Sequence, residues 1–296
     1  MTGGKPAESC WLSCFLKRPG RCCPGKRRSI QAGGIPLTAF KGLLLPLLII
    51  AWWLVASALQ MVNSYLIPSP ASILHTTVVL VQKGILIKHL TTSLYRIFAG
   101  FGITFLLAFP LALILGTNRW LTPYFHPLLH FIRHIPPISC IPIFILWMGI
   151  GETSKLAIIV LAAFFPVFLN TLAGILYCDP KLIEVGQIFG LSRMEKFHRI
   201  ILPAALPSII LGIRLGLGYS WRALIGAELI AASAGVGYMI IEAEQLSRPD
   251  IVIIGILVIG SIGTLIDYAF LRFSHSVLPW NGGEASHDNF TAKGAL

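Results

Sequence analysis

Charged residues are scarce in this chain of 296 residues. Asp, Glu, Lys and Arg make up 12% of it, whereas roughly 25% of an ordinary soluble domain is charged. So little charge leaves too little polar surface to coat a soluble globule of this size. Because 55% of the residues are hydrophobic and the mean hydropathy is +0.79, the composition predicts a protein embedded in lipid.

Several sequence motifs of enzymes are also absent. The chain has no G-x4-G-K-[ST] phosphate-binding loop, so we do not expect it to hydrolyse ATP. No Ser-His-Asp or paired-carboxylate pattern stands out in a plausible aqueous pocket. The net charge is +11, but the basic residues collect at the ends of apolar runs instead of forming a patch with aromatics. We therefore predict neither catalysis, nor a cofactor in this chain, nor binding to nucleic acid.

The cysteines and histidines do not match a metal-binding template. Four of the six cysteines lie in the N-terminal tail, at positions 10, 14, 22 and 23, with a spacing that no strong zinc motif has. His126, His130 and His134 share one helical face, but Pro127 interrupts the series and no carboxylate accompanies it. We predict no metal site.

The two ends of the chain are polar. Residues 1–36 are rich in Gly, Pro, Lys, Arg and Cys without an apolar core, so they do not resemble a signal peptide. Residues 281–296 have a similarly polar composition. Both tails are predicted to be disordered and cytoplasmic. The sequence does not indicate what the cysteine-rich tail does.

Six apolar segments are long enough to cross a bilayer, which takes roughly 20 residues of helix. They cover residues 42–62, 97–116, 123–149, 156–177, 201–232 and 251–273. The third is interrupted at Pro136-Pro137, which requires protein or water to satisfy the freed backbone groups. Between the first two segments, Pro68 and Pro70 predict a break followed by an external loop with a surface helix. The predicted fold class is an all-α membrane protein with six transmembrane helices.

The distribution of basic residues predicts the orientation. With the N-terminus inside, most of the 23 Lys and Arg residues fall in the N-terminal tail or in cytoplasmic connections. Five fall in external connections, namely Lys83, Lys88, Arg96, Lys155 and Arg248. Because basic residues favour the cytoplasmic side, we expect both termini to lie in the cytoplasm.

The connection between the fourth and fifth segments is the most informative loop. Its apolar residues recur at helical spacing on both sides of Gly190, which predicts two short amphipathic helices hinged at that glycine. A cytoplasmic hairpin with an exposed apolar face needs a partner to cover it. The alternative is an ordinary hairpin that lies on lipid headgroups.

This loop resembles the signature of ABC importer permeases. That signature is E-A-A, three residues, G, nine residues, I, one residue, L-P, and it is matched here by Glu184, Gly190, Ile200, Leu202 and Pro203. Val-Gly replaces the paired alanines at positions 185 and 186, and glycine is less favourable in a helix than alanine by up to about 1 kcal/mol.

The resemblance extends from about residue 66 to residue 280. It includes the stretches LIPSPASIL, IPPISCIPIFILWMGIGETSK, FFPVFLNTLAGI, ILPAALPSIILGIRLGLGYSW and AELIAASAGVGYMI. These stretches are similar to the branch of the family that imports aliphatic sulfonates, taurine, nitrate and related small anions, including bicarbonate. A vitamin-precursor importer of the same family is an alternative.

The resemblance implies an architecture and a set of partners. The fold would be that of a type I ABC importer permease (MetI-like), with a permease domain over residues 37–280 and an ATPase-coupling loop at about residues 178–203. The chain would act as a homodimer in the bacterial inner membrane, surrounded by membrane lipid. Its partners would be a cytoplasmic ABC ATPase dimer that binds ATP and Mg, and a periplasmic or lipid-anchored solute-binding protein. Neither the solute nor whether the two ATPases are identical follows from the sequence.

Ionisable residues within the apolar segments are the candidates for the translocation pathway. Each isolated charge would be costly in lipid, so these side chains should face protein or water. We expect Asn170, Arg214, Trp221 and Glu228 to border the pathway, with Arg214 attracting an anion. Arg214 and Glu228 are too far apart along one helix to pair. The alternative is that such residues join helices through hydrogen bonds, which we favour for Asp267.

Two other classes of membrane protein remain to be considered. A secondary transporter driven by an ion gradient would show an internal repeat and a cluster of ion ligands at the midplane, and we find no convincing repeat. A membrane-embedded enzyme would need a reactive set of side chains near the membrane surface, which the sequence does not provide.

Overall fold

A computed structural model describes residues 37–278, apart from residues 60, 62, 64–66 and 119. Within that range the side chains of residues 37–43, 126 and 275 are not described. The predicted tails, residues 1–36 and 281–296, and the four tail cysteines lie outside the described residues. The chain divides into two units, residues 1–51 and 52–296.

The described part of the chain consists of helices, turns and irregular segments, without a β-strand. The helices are α1 (Leu37–Ala58), α2 (Pro70–Gln82), α3 (Ile85–Thr117), α4 (Thr122–Ile132), α5 (Ile141–Met148), α6 (Glu152–Leu176), α7 (Pro180–Ile188), α8 (Arg193–Lys196), α9 (Leu202–Ala231), α10 (Val236–Gln245) and α11 (Pro249–Val277). A 3-10 turn, Pro137–Cys140, precedes α5, and a π-helical turn, Phe197–Ile201, joins α8 to α9. The all-α prediction is confirmed.

Four helical stretches of the described chain are long and apolar enough to cross a membrane. They are Ile85–Thr117, Glu152–Leu176, Arg193–Gln245 and Pro249–Ser274. The broken pair Thr122–Ile132 and Pro137–Met148 adds a fifth, with a bend of 83° at the predicted proline interruption. Helix α1 covers most of the first predicted segment, but its described apolar part, Leu44–Ala58, is shorter than a span, so the described residues give up to five of the six predicted spans.

The second span begins earlier than the sequence predicted. Helix α3 starts at Ile85 instead of residue 97, directly after Gly84, whose φ is 70°. Lys88 and Arg96 were predicted to lie in an external connection, but both are in this helix, and Arg96 is only 2% exposed. The prediction was wrong because the polar run before residue 97 looks like a loop, whereas its hydroxyl groups bond to backbone carbonyls one turn earlier.

Helix α6 is central and packs along both α3 and α9. Glycines in α9 permit this close approach. A Cβ added to Gly212 would lie 2.8 Å from Cβ of Asn170, and one added to Gly216 would lie 2.7 Å from Cγ2 of Val167. Because larger side chains would push the helices apart, the Gly212-x3-Gly216 sequence is a close-packing motif of α9.

Candidate functional site

The predicted coupling loop forms two helices that meet at Gly190. Asp179 caps the first, α7, by accepting a hydrogen bond from the backbone N–H of Lys181 at 2.9 Å. Gly190 lies in the left-handed region with φ 67°. Its N–H donates to the carbonyl of Gln187, and the next N–H donates to the carbonyl of Gly186. This pair of bonds is a Schellman motif, which terminates α7 and favours glycine at position 190.

The second helix of the loop begins with a capping box. Ser192 accepts a hydrogen bond from the N–H of Glu195, and the Glu195 carboxylate accepts one from the N–H of Ser192. These reciprocal bonds satisfy two N–H groups at the helix start. The S-x-x-E pattern that specifies the box is visible in the sequence, although the prediction of the loop did not use it.

The second helix does not stop before the fifth span. Helix α8, the π-helical turn and α9 form one unbroken helical run, because the residues at each junction have α-helical dihedral angles. The fifth apolar segment was predicted to begin at residue 201, but residue 201 and Pro203 both lie inside this run. Proline cannot donate the usual backbone hydrogen bond, and the π-helical turn that ends two residues earlier is the type of distortion that accommodates it.

Ile200 packs against α7 at Gly186. A Cβ added to Gly186 would lie 2.5 Å from Cδ1 of Ile200 and 3.1 Å from Cγ of Lys196. Gly186 is one of the two residues that replace the paired alanines of the family signature. The glycine therefore allows the motif residue Ile200 to lie directly on α7, which brings the two halves of the loop together.

Three apolar side chains of the loop are exposed. Ile188 is 83% exposed, Phe189 76% and Met194 67%. Glu184 is also exposed on α7. An exposed apolar surface with a carboxylate beside it is suited to contact with another protein.

Two of the predicted pathway residues, Arg214 and Trp221, face α11. Arg214 forms a bidentate ion pair with Asp267, with Nε–Oδ1 and Nη2–Oδ2 distances of 2.7 and 2.9 Å. The Trp221 indole N–H donates to the carbonyl of Ile259 at 3.1 Å. Both side chains line a cavity of about 140 Å³ that Arg222 also borders. The interhelical bond predicted for Asp267 is present.

Asn170 lies on another side of the bundle. It lines a cavity of about 330 Å³ together with Leu215 and Tyr219 of α9 and Arg133 and His134 at the end of α4. Its amide donates to the carbonyl of Pro166 at 2.8 Å. The structure therefore does not bring Asn170 together with Arg214 and Trp221.

Glu228, the fourth predicted pathway residue, is 1% exposed. Its carboxylate accepts hydrogen bonds from Ser93 Oγ at 2.8 and 2.9 Å, from Arg96 at 2.8 Å and from the N–H of Gly237 at 3.0 Å. As predicted, it does not pair with Arg214. Its bonds join α3, α9 and the start of α10, so the geometry favours the interhelical alternative for this residue.

Arg96 extends this cluster to α6, and we name Ser93, Arg96, Glu152, Lys155 and Glu228 the ion cluster. Arg96 binds Glu152 with Nε–Oε2 and Nη2–Oε1 distances of 2.6 Å, and Lys155 Nζ lies 3.0 Å from Glu152 Oε1. Lys155 is 3% exposed, although its charge predicted a place in an external connection. The two cations balance the two carboxylates, which permits burial of Arg96, Lys155 and Glu228, whereas the Glu152 side chain is 56% exposed.

The cysteine at the start of the coupling loop is buried. Cys178 is 8% exposed, and burial raises the pKa of its thiol. For the residues that the structure describes, no three His, Cys, Asp or Glu side chains converge as metal ligands. The side chain of His126 is outside that description, so the histidine series is described only in part.

The comparison with protein families identifies the chain. Residues 105–278 match the family described as binding-protein-dependent transport system inner membrane component. This match includes α6, the coupling loop, α9 and the ion-cluster residues Glu152, Lys155 and Glu228. The chain belongs to this family of ABC importer permeases.

Two relatives of the permease have named substrates. It is 40% identical over 240 residues to the putative aliphatic sulfonates transport permease protein of Bacillus subtilis (strain 168), which covers 81% of this chain and 87% of the relative. It is 34% identical over 243 residues to the taurine transport system permease protein of Escherichia coli (strain K12), covering 80% and 88%.

A solved structure shares the fold. The permease matches a chain of the methionine ABC transporter MetNI in an inward-facing conformation, with a TM-score of 0.55 and 17% identity. The match covers 66% of the permease and 97% of that chain. The fold predicted from the sequence, that of a type I ABC importer permease, is confirmed.

Proposed function

We propose that the permease imports a small anionic solute of the sulfonate and taurine class, driven by ATP hydrolysis on separate subunits. Nitrate and bicarbonate belong to the same proposed class of small anions. The observation that carries the proposal is the 40% identity to an aliphatic sulfonates permease over most of both chains. Two copies of the permease would form the pathway, with two cytoplasmic ATPases that bind ATP and Mg. A solute-binding protein would deliver the anion from the other side.

The coupling loop is the proposed contact with the ATPases. Gly190 ends α7 with a sharp turn, and the exposed residues Ile188 and Phe189 offer an apolar surface for an ATPase to cover. Glu184 adds a carboxylate for a charge-assisted hydrogen bond. Because α8 continues into α9, an ATPase that moves the loop would move this span directly. Ile200, Leu202 and Pro203 lie at the junction that transmits the movement.

The proposed orientation places the coupling loop and both termini in the cytoplasm. Arg96 and Lys155 lie within α3 and α6 instead of in the external connections to which they were assigned. Lys88 also lies in α3, so Lys83 and Arg248 are the two of the five that remain in connections between helices. The proposed orientation rests on the excess of Lys and Arg in the predicted cytoplasmic segments.

The proposed pathway includes the surface around Arg214 and Trp221, and Asn170 from the other cavity. The cavity between α9 and α11 is lined by two cationic side chains, Arg214 and Arg222, and by one carboxylate, Asp267. The remaining positive charge would attract an anion. For Glu228 we propose a role in positioning, developed below. Selection among solutes would rest mainly with the binding protein.

Reconstitution tests the proposal. The permease would be purified with its ATPase, placed in liposomes, and supplied with solute-loaded binding protein on one side and ATP on the other. We expect uptake of radiolabelled taurine or an alkanesulfonate that requires ATP and all three components. Nitrate, bicarbonate and a vitamin precursor would be tested as solutes in the same assay. Uptake that follows an ion gradient without the ATPase would instead identify a secondary transporter.

A further inference from the structure

Side chains from α3 and α9 bind the segment Ala234–Gly237, which leads into α10. The N–H of Gly235 donates to His89 Nδ1, that of Val236 to Ser93 Oγ and that of Gly237 to Glu228 Oε2, each at 3.0 Å. Arg96 donates to the carbonyl of Ala234 at 2.6 Å. The first N–H groups of a helix have no partner within the helix, and here three of them are bound by side chains from other helices.

The segment is fitted to the carboxylate of Glu228. Gly235 has φ 122°, and a side chain there would collide with that carboxylate. A Cβ added to Gly237 would lie 2.7 Å from Cβ of Glu228. Glycine at both positions lets the backbone close around Glu228, so the position of the segment depends on where Glu228 lies.

Glu228 stands near one end of a helical run whose other end is the coupling loop. The run begins at Arg193 in α8 and continues without a break to Ala231. At about 1.5 Å per residue it is on the order of 55 Å long, which exceeds the thickness of a bilayer. The run connects α8 to Glu228 without interruption, and the Glu228 carboxylate accepts hydrogen bonds from Ser93 and Arg96 of α3 and from the N–H of Gly237 in α10.

We infer that Glu228 is a positioning residue that couples movement of α8 to the segment Ala234–Gly237 on the opposite side of the membrane. The ion cluster keeps α3, α6 and α9 together at this end, so the segment and α10 follow the helices when an ATPase moves the loop. In the transport cycle this would link nucleotide state to the surface that receives solute from the binding protein. The inference rests on the proposed function.

Two conservative variants of the cluster test the coupling. Glu228→Gln keeps the size of the side chain and one carbonyl oxygen but removes the charge that binds Arg96. Ser93→Ala removes the hydroxyl that donates to Glu228 and accepts from Val236, without any change of charge. The matched control is Glu242→Gln, which changes an exposed carboxylate of α10 that accepts one long hydrogen bond, from Tyr238 Oη at 3.5 Å.

The measurement is the number of solute molecules imported per ATP hydrolysed by the reconstituted complex of permease, ATPase and binding protein. Assembly and basal ATP hydrolysis are measured on the same samples. We expect Glu228→Gln to assemble, to keep basal hydrolysis within about twofold, and to import about tenfold fewer solutes per ATP, since a charge-assisted hydrogen bond is lost. Ser93→Ala should show a smaller loss in the same direction, and Glu242→Gln none.

Two results would overturn the inference. One is an unchanged ratio of solute to ATP in an assembled Glu228→Gln complex. The other is loss of assembly in Glu228→Gln together with an unchanged ratio in Ser93→Ala, which would limit the cluster to stability. Failure of the wild-type complex to import any solute would count against the proposed function instead.

Discussion

Replacement of Gly190 tests whether the turn between α7 and α8 is needed to couple the permease to its ATPase. The residue has φ 67°, and a Cβ added to it would meet no atom within 4 Å. A larger side chain at position 190 would therefore meet no steric clash, and any loss of stability would come from the backbone conformation alone. The variants Gly190→Asn, Gly190→Ala and Gly190→Val keep the surrounding contacts and differ in how well each residue tolerates a left-handed conformation.

The expected penalty follows from the left-handed backbone. A residue with a Cβ loses about 1 to 2 kcal/mol in this region, asparagine loses less because its side chain bonds locally, and a β-branched residue loses most. A loss of about 1 kcal/mol lowers the population of the formed turn about fivefold. The predicted order of ATPase coupling is therefore Gly, Asn, Ala, Val.

Gly84→Ala is a matched control at another turn. Gly84 has φ 70° before α3, and a Cβ there would also meet no atom within 4 Å. The Gly84→Ala variant should lose about as much stability as Gly190→Ala but remain coupled to the ATPase. The assay is co-purification of the ATPase and solute-dependent ATP hydrolysis, with thermal unfolding measured in parallel. Equal coupling in Gly190→Val and wild type, or equal loss in the Gly84 control, would refute the reasoning.

Three further substitutions have defined outcomes. Gly186→Ala should retain ATPase binding, because Cδ1 of Ile200 can rotate away, whereas Gly186→Leu should lose it in a pull-down. Arg214→Ala should destabilise the permease by about 1 kcal/mol in thermal unfolding, since its ion pair with Asp267 is partly exposed. The double variant Arg214→Ala with Asp267→Ala should recover part of the lost stability. Normal uptake by an assembled Arg214→Ala complex would remove the pathway role of Arg214. Because burial raises the pKa of Cys178, its thiol should need a higher pH to react with a maleimide than a cysteine placed at exposed Ile188; equal rates at every pH would contradict the burial.

The parts of the fold that depend on local sequence were predictable. Apolar length identifies the membrane helices, the prolines at 136 and 137 identify the break in the third, and Gly190 identifies the turn in the coupling loop. In each case the signal lies within a few residues of the structure it specifies. The continuity of α8 with α9 was missed because Pro203 normally indicates a helix start, and a π-helical turn that accommodates it has no strong sequence signature.

The ion cluster could not be predicted, because its members are distant in sequence. Arg96 is separated by 56 residues from Glu152 and by 132 from Glu228. Without a knowledge of which helices are neighbours, an Arg after a polar run is more simply assigned to a loop. Lys155 was assigned to an external connection for the same reason. A hint was present in the Ala-Gly-Val-Gly sequence at 234–237, whose two glycines allow the backbone to approach another group closely.

Labelling of a single cysteine at position 188 tests the central claim, that the coupling loop is a cytoplasmic lever held by an ATPase. Ile188 is 83% exposed and lies two residues before Gly190. In a variant whose six native cysteines are replaced, Ile188→Cys would be treated with a membrane-impermeant maleimide in inside-out and right-side-out vesicles. The account predicts labelling in inside-out vesicles alone, and protection when the ATPase is bound. Labelling from the outer face, or equal labelling with and without the ATPase, would contradict it.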